Sequence, residues 1–156
     1  MSQAVSLWPP EGRQPCDRGQ TSSILSVYGP RITDPELARI GLSETEGEAQ
    51  GIAYRLFKVP METNLRARTL SETRGFAKAQ VEADSDRILG FTAFGVGAGE
   101  ILAAVQIAMI AGLPYTALGD AVLTHPTLVE GLISLFSSAA SSHNVVETRG
   151  ARTPAA

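Results

Sequence analysis

His125-Pro126-Thr127-Leu128-Val129-Glu130 holds the residue types best suited to chemistry in this chain. An imidazole can take up or release a proton near neutral pH, and a carboxylate bonded to one ring nitrogen fixes which nitrogen carries the hydrogen. Proline biases the histidine before it away from helical backbone, so the motif reads as a turn leading into a helix. Spacing alone does not establish contact between the two side chains. A surface histidine at a helix start, with Glu130 solvated in the first turn, is the commoner arrangement of such residues.

The other candidates carry less. Gly95-Val96-Gly97-Ala98-Gly99-Glu100 lies between an extended and a helical pattern, where backbone amides can cradle a pyrophosphate. Its spacing departs from a dinucleotide fingerprint, because Glu100 stands where the third glycine belongs and its carboxylate would repel phosphate. A tight strand-to-helix turn is the preferred account. Arg66, Arg68 and Arg74 form a small basic patch, but Glu62 and Glu72 sit among them, which suggests a solvated mixed-charge surface. Cys16 is the one cysteine and has no thiol with which to form an internal disulfide or a redox pair. His143 lies in a Ser-rich stretch and reads as exposed; two histidines so far apart give no metal-ligand spacing, and no metal site is expected.

Several elements must position the motif. Ser43 and Glu46 have the spacing of a capping box, which starts a short helix ending near Gly51. Tyr54 to Val59 is rich in aromatic and branched residues, and Pro60 ends it by removing a ladder donor. Phe76 to Glu82 alternates, with Lys78, Gln80 and Glu82 on one face, expected to be wet, and Ala77, Ala79 and Val81 on the other. Turn formers from Ala83 to Arg87 join it to an extended run, Ile88 to Phe94, as an antiparallel hairpin. Ala98 to Ala111 reads as a helix that is apolar on nearly every side, closed by Gly112 in a left-handed conformation. A helix so apolar can be satisfied within the chain or by packing against a second subunit. Two further short helices are expected over Thr116 to Ala121 and Leu128 to Ala139. Strands first and helices afterwards give an α+β fold, an antiparallel β-sheet with helices packed on one face.

The chain has 156 residues, enough for one domain with a real core and too few for the several domains of a dinucleotide-dependent enzyme. With 44% apolar and 19% charged residues it has the composition of an ordinary globular protein. A net charge of -3 gives no reason to expect nucleic acid as a partner. The N-terminus lacks the apolar segment of a secretory signal, and Ile101 to Ala111 is too short to cross a bilayer, so a cytoplasmic protein without a membrane span is expected. Residues 1–23 are expected to be disordered, 24–140 to form the domain, and 141–156 to be a flexible tail.

Taken in order, separated stretches resemble one family. Thr33-Asp34-Pro35-Glu36-Leu37-Ala38, Gly41-Leu42-Ser43-Glu44, Thr73-Arg74-Gly75-Phe76-Ala77-Lys78, Arg87-Ile88-Leu89-Gly90, Gly95 with Ala98-Gly99-Glu100, Ala111-Gly112-Leu113 and His125-Pro126-Thr127 with Glu130 are similar to the C-terminal dimerisation domain of the pyridine nucleotide-disulfide oxidoreductases, which include glutathione reductase, lipoamide dehydrogenase and mercuric reductase. The resemblance implies the FAD/NAD-linked reductase dimerisation fold. It implies that His125 and Glu130 reach across a two-fold interface into a partner's active site, the histidine as acid/base to a redox-active thiol. It also implies that the backbone around His125 and Pro126 approaches the partner's flavin. FAD and NAD(P) are thereby implied for a full-length family enzyme, while no Gly-rich cofactor motif or Cys-x4-Cys pair stands in this sequence. The expectation is an isolated dimerisation domain, inactive alone and binding no cofactor by itself, whose partner is a second copy or a full-length relative. The alternative is a non-catalytic binding module that forms mixed dimers with such a relative. The family's first strand falls at Ser26 to Ile32, where Gly29-Pro30 interrupts the apolar run.

Overall fold

A computed structural model of the chain describes residues 28–31 and 33–138. The segment expected to be disordered, 1–23, and the expected flexible tail, 141–156, lie outside the described residues, as do Cys16 and His143. Five strands form one antiparallel sheet: β1 (Tyr28–Arg31), β2 (Leu37–Gly41), β3 (Tyr54–Pro60), β4 (Phe76–Glu82) and β5 (Ile88–Phe94), in the order β1-β2-β5-β4-β3. The helices are α1 (Glu44–Ala49), α2 (Leu65–Thr69), α3 (Ala98–Ile110), α4 (Thr116–Gly119) and α5 (Gly131–Ser137), with a 3-10 turn at Met61–Thr63 before α2. The class is α+β, as the pattern indicates.

The hairpin β4–β5 forms where the alternation and turn residues place it, and Glu82 closes it by pairing with Arg87 at 2.8 Å. Period-2 alternation sends Ala77, Ala79 and Val81 to the face shared with Ala38, Ile40, Phe57, Val59, Phe91 and Ala93. Over that face α3 lies on β2 and β5, and α5 on β3 and β4. Ile101, Leu102 and Val105 from α3, and Leu132, Leu135 and Phe136 from α5, complete the core. Gly112, at φ 65°, ends α3 with its N–H bonded to the carbonyl of Met109, while Leu113 N–H bonds to that of Ala108. No helix of the described residues is long and apolar enough to cross a membrane.

The second face of β4 is not uniformly wet. Lys78 is half-buried and ion-paired with Glu44 of α1, and Gln80 is 1% exposed. Gln80 stands opposite Gly90, and a Cβ on Gly90 would lie 2.0 Å from the Leu42 carbonyl oxygen. The chain leaving β2 therefore crosses this face over Gly90 before α1 begins, and Gln80 is buried beside the crossing. Two helices are shorter than their patterns indicate. α4 stops at Gly119, and α5 begins at Gly131 because Leu128 to Glu130 are spent in a turn. β1 pairs with β2 despite Gly29-Pro30, with an irregularity between Tyr28 and Arg31, and as an edge strand it can carry a proline.

The capping box at α1 forms in full. Ser43 Oγ accepts from the Glu46 N–H, and the Glu46 carboxylate accepts from the Ser43 N–H and hydroxyl. The Ser43 hydroxyl, its N–H and the nearby Arg39 guanidinium hold the Glu46 carboxyl below the usual carboxylate range. A depressed carboxyl contributes stability above its unfolded value, about 4.3, that is lost as pH falls through the folded value. Ser43→Ala is expected to cost about 1 kcal/mol at neutral pH. The gap from the parent chain should narrow when thermal melts are repeated at successively lower pH.

Candidate functional site

His125 stands in the loop between α4 and α5, where Thr124, His125 and Pro126 are exposed. The His125–Pro126 peptide is cis. The Thr127 hydroxyl donates to the Thr124 carbonyl at 2.8 Å and accepts from the Glu130 N–H at 3.3 Å. This one hydroxyl ties the residue before the histidine to the glutamate, an arrangement Thr favours because its short side chain reaches nearby backbone. The loop so folded brings His125 Nδ1 2.7 Å from Glu130 Oε1 and 3.0 Å from Oε2. The contact that spacing left open is made.

One carboxylate faces one nitrogen of the ring in this pair. A carboxylate has no hydrogen to give, so Nδ1 carries one and donates it, which leaves the Nε2 lone pair of the neutral ring unengaged by Glu130. The His125 side chain is 61% exposed and that of Glu130 27%, so the imidazole can meet a group arriving from outside while its orienting carboxylate is partly shielded. Beneath the loop, Leu128 and Val129 pack against the core. A Cβ on Gly97, which has φ 63°, would lie 2.4 Å from Leu128 Cδ1, so glycine lets the loop rest on the start of α3. Arg66, Glu100 and Pro126 to Val129 line an open cleft of about 530 Å³ there. The sequence motif did not associate Arg66 with the histidine loop; Arg68 and Arg74 are exposed elsewhere on the mixed-charge surface.

The glycine turn before α3 is a strand-to-helix connection with its amides in use. Gly95 N–H donates to the Glu36 carbonyl at 2.9 Å, and Gly99 N–H donates to Glu36 Oε2 at 3.1 Å. Gly97, the residue preceding α3, has no side chain to cap it, and the Glu36 carboxylate does so from a distance. A carboxylate thus sits where a pyrophosphate would have to bind, and these residues do not fit a dinucleotide. Among the described residues no group of three His, Cys, Asp or Glu side chains could hold a metal ion.

The outward side of α3 is apolar beyond Glu100. Ala103, Ile107 and Ile110 are exposed, Ile107 by 67%, with Leu113 just beyond the helix end. Ala103, Ile107 and Ile110 follow helical spacing and so make one stripe. From Glu100 at the cleft to Ile107 is about 10 Å along the helix axis, so stripe and loop are neighbours on the surface.

The profile of the family described as pyridine nucleotide-disulphide oxidoreductase, dimerisation domain, matches residues 30–135. The chain belongs to this family. The matched residues are its dimerisation domain, in keeping with the α+β layering. Among curated relatives, the probable pyridine nucleotide-disulfide oxidoreductase RclA of Escherichia coli is 37% identical over 103 residues, covering 66% of this chain and 23% of that protein. The dihydrolipoyl dehydrogenase of Staphylococcus aureus is 32% identical over 114 residues, covering 72% and 24%. The solved HOCl-induced flavoprotein disulfide reductase RclA from Escherichia coli superposes with a TM-score of 0.68 at 35% identity, over 70% of this chain and 25% of that one. The chain therefore spans about a quarter of the length of the relatives it matches. For this dimerisation domain, the sequence singled out His125, Pro126 and Glu130 but gave no role to Glu36 or Thr127. Thr127 carried a readable signal, being a short polar residue just ahead of a helical segment.

Proposed function

We propose that this dimerisation domain contributes His125 and Glu130 as an acid/base pair to the active site of a partner chain. The supporting observation is the exposed imidazole held at Nδ1 by Glu130, 2.7 Å away, with Nε2 left for an incoming group. When bound by the partner, FAD and NAD(P) supply the electron transfer. The work of this chain is to move a proton: Nε2 takes it from a partner thiol as the thiolate forms and returns it when a thiol is regenerated. Glu130 stabilises the imidazolium between those steps. His125 and Pro126 would lie against the partner's flavin through the exposed loop backbone. The glycine turn before α3 cannot hold the cofactor itself, since Glu36 occupies it.

The stripe of Ala103, Ile107 and Ile110 is the surface through which the domain pairs, either with a second copy or with the same domain of a full-length relative. A two-fold axis at this helix makes the patch self-complementary. Ile107→Glu is expected to weaken self-association about 10²- to 10³-fold, because pairing would bury an unpartnered carboxylate. The monomer's stability should move by no more than about 0.5 kcal/mol, as for other exposed sites. Sedimentation velocity over a dilution series, with a thermal melt of the same samples, reads both. Co-purification of the tagged chain with a full-length relative such as RclA tests the partner: a stable mixed dimer supports the reading, and failure to pair with any relative or with itself removes it.

A further inference from the structure

We infer that Asn64 is a positioning residue for the His125–Glu130 pair, clamping the loop that bears it to the start of α2. Asn64 is 6% exposed and uses both ends of its amide. Its Oδ1 accepts from the Arg66 N–H at 2.9 Å and the Ala67 N–H at 3.2 Å, capping α2. Its Nδ2 donates to the Leu128 carbonyl at 2.8 Å, across a separation of 64 residues. A Cβ on Gly131 would lie 2.6 Å from that same nitrogen, so the residue after Glu130 is a glycine where the Asn64 amide passes. Thr63, Asn64 and Leu65 share a hollow of about 130 Å³ with Glu130 and Gly131, so Glu130 lies beside the segment that Asn64 caps.

The Thr127 hydroxyl fixes the loop's internal shape, and no hydrogen bond of that residue reaches outside Thr124 to Glu130. The Asn64 amide is the side-chain bond that anchors the loop to another element. A buried amide whose carbonyl and amino ends serve two different segments holds them at fixed distance, because losing either contact leaves a polar group unsatisfied. The consequence for proton transfer rests on the proposed function; the geometric claim about the pair does not.

The test is the tautomer of His125, read from its ring nitrogen shifts in a His143→Gln background so that one imidazole reports. In the parent the Nδ1–H form should dominate, since Glu130 accepts that hydrogen. Asn64→Ser keeps a hydroxyl to cap α2 but cannot reach Leu128; it should leave the thermal melt cooperative while the Nδ1–H form falls to a minority. Asn64→Asp keeps the volume and the cap and sets an oxygen against the Leu128 carbonyl; it covers the case in which the serine variant does not fold. Glu130→Ala, which leaves nothing to accept the Nδ1 hydrogen, is the positive control for the readout and should lose the Nδ1–H majority. If Glu130→Ala changes the tautomer and both folded Asn64 variants keep the parent's, the positioning role is overturned. If the tautomer responds to Asn64 but the pair proves dispensable to a partner enzyme, the clamp stands and the proposed function falls.

Discussion

Replacing His125 with Ala in a mixed dimer with a full-length relative is expected to lower turnover at the composite site about 10²- to 10⁴-fold, the usual contribution of a positioned proton-transfer group. The site in question is the one that uses the relative's flavin and thiols together with this chain's loop. Purification through a tag on this chain removes the relative's own homodimers from the measurement. The loss should fall on kcat, because the imidazole acts on a proton in flight and adds little to ground-state binding. Pairing itself should be unaffected: the His125 side chain is 61% exposed, and the apolar stripe on α3 is untouched. Glu130→Gln should cost less, since an amide can still meet the ring but no longer stabilises the imidazolium.

Phe57→Ala is expected to destabilise the domain by about 3–5 kcal/mol, the range for deleting a buried aromatic ring. Phe57 is 1% exposed, and its ring centre lies 5.0 Å from that of Tyr115 and 5.5 Å from that of Phe136. Tyr115 precedes α4 and Phe136 belongs to α5, the two helices on either side of the His125 loop. One ring on β3 therefore holds both ends of the segment that carries the pair. Domains of this size are stable by only about 5–15 kcal/mol, so the substitution removes a large share of the total. Urea denaturation should show a lower midpoint with an unchanged slope, in contrast to Ile107→Glu, which should leave the midpoint where it is at concentrations low enough for the parent to be monomeric.

What could be read from the sequence divides by the range of the interactions involved. The capping box at Ser43, the β4–β5 hairpin and the glycine that ends α3 are each written within a few neighbouring residues, and each forms where the residues place it. β2 was not marked as a strand by its own residues: it is five residues long, and its place beside β5 depends on a partner fifty residues away. The wet face expected for Gln80 failed for the same reason, since the covering backbone at Leu42 comes from another part of the chain. At the site, residue types named His125 and Glu130 as candidates, but their contact depends on the turn that Thr127 closes. The Asn64 bond to Leu128 joins segments too distant for any local pattern to announce.

Whether this domain lends a working histidine to another chain's chemistry is decided by complementation: a full-length relative whose own histidine at this motif is Ala is titrated with the intact chain, and turnover is followed. Activity is expected to return in proportion to the mixed dimer formed. Formation of that dimer with turnover still at the level of the histidine-less relative would rule the shared histidine out.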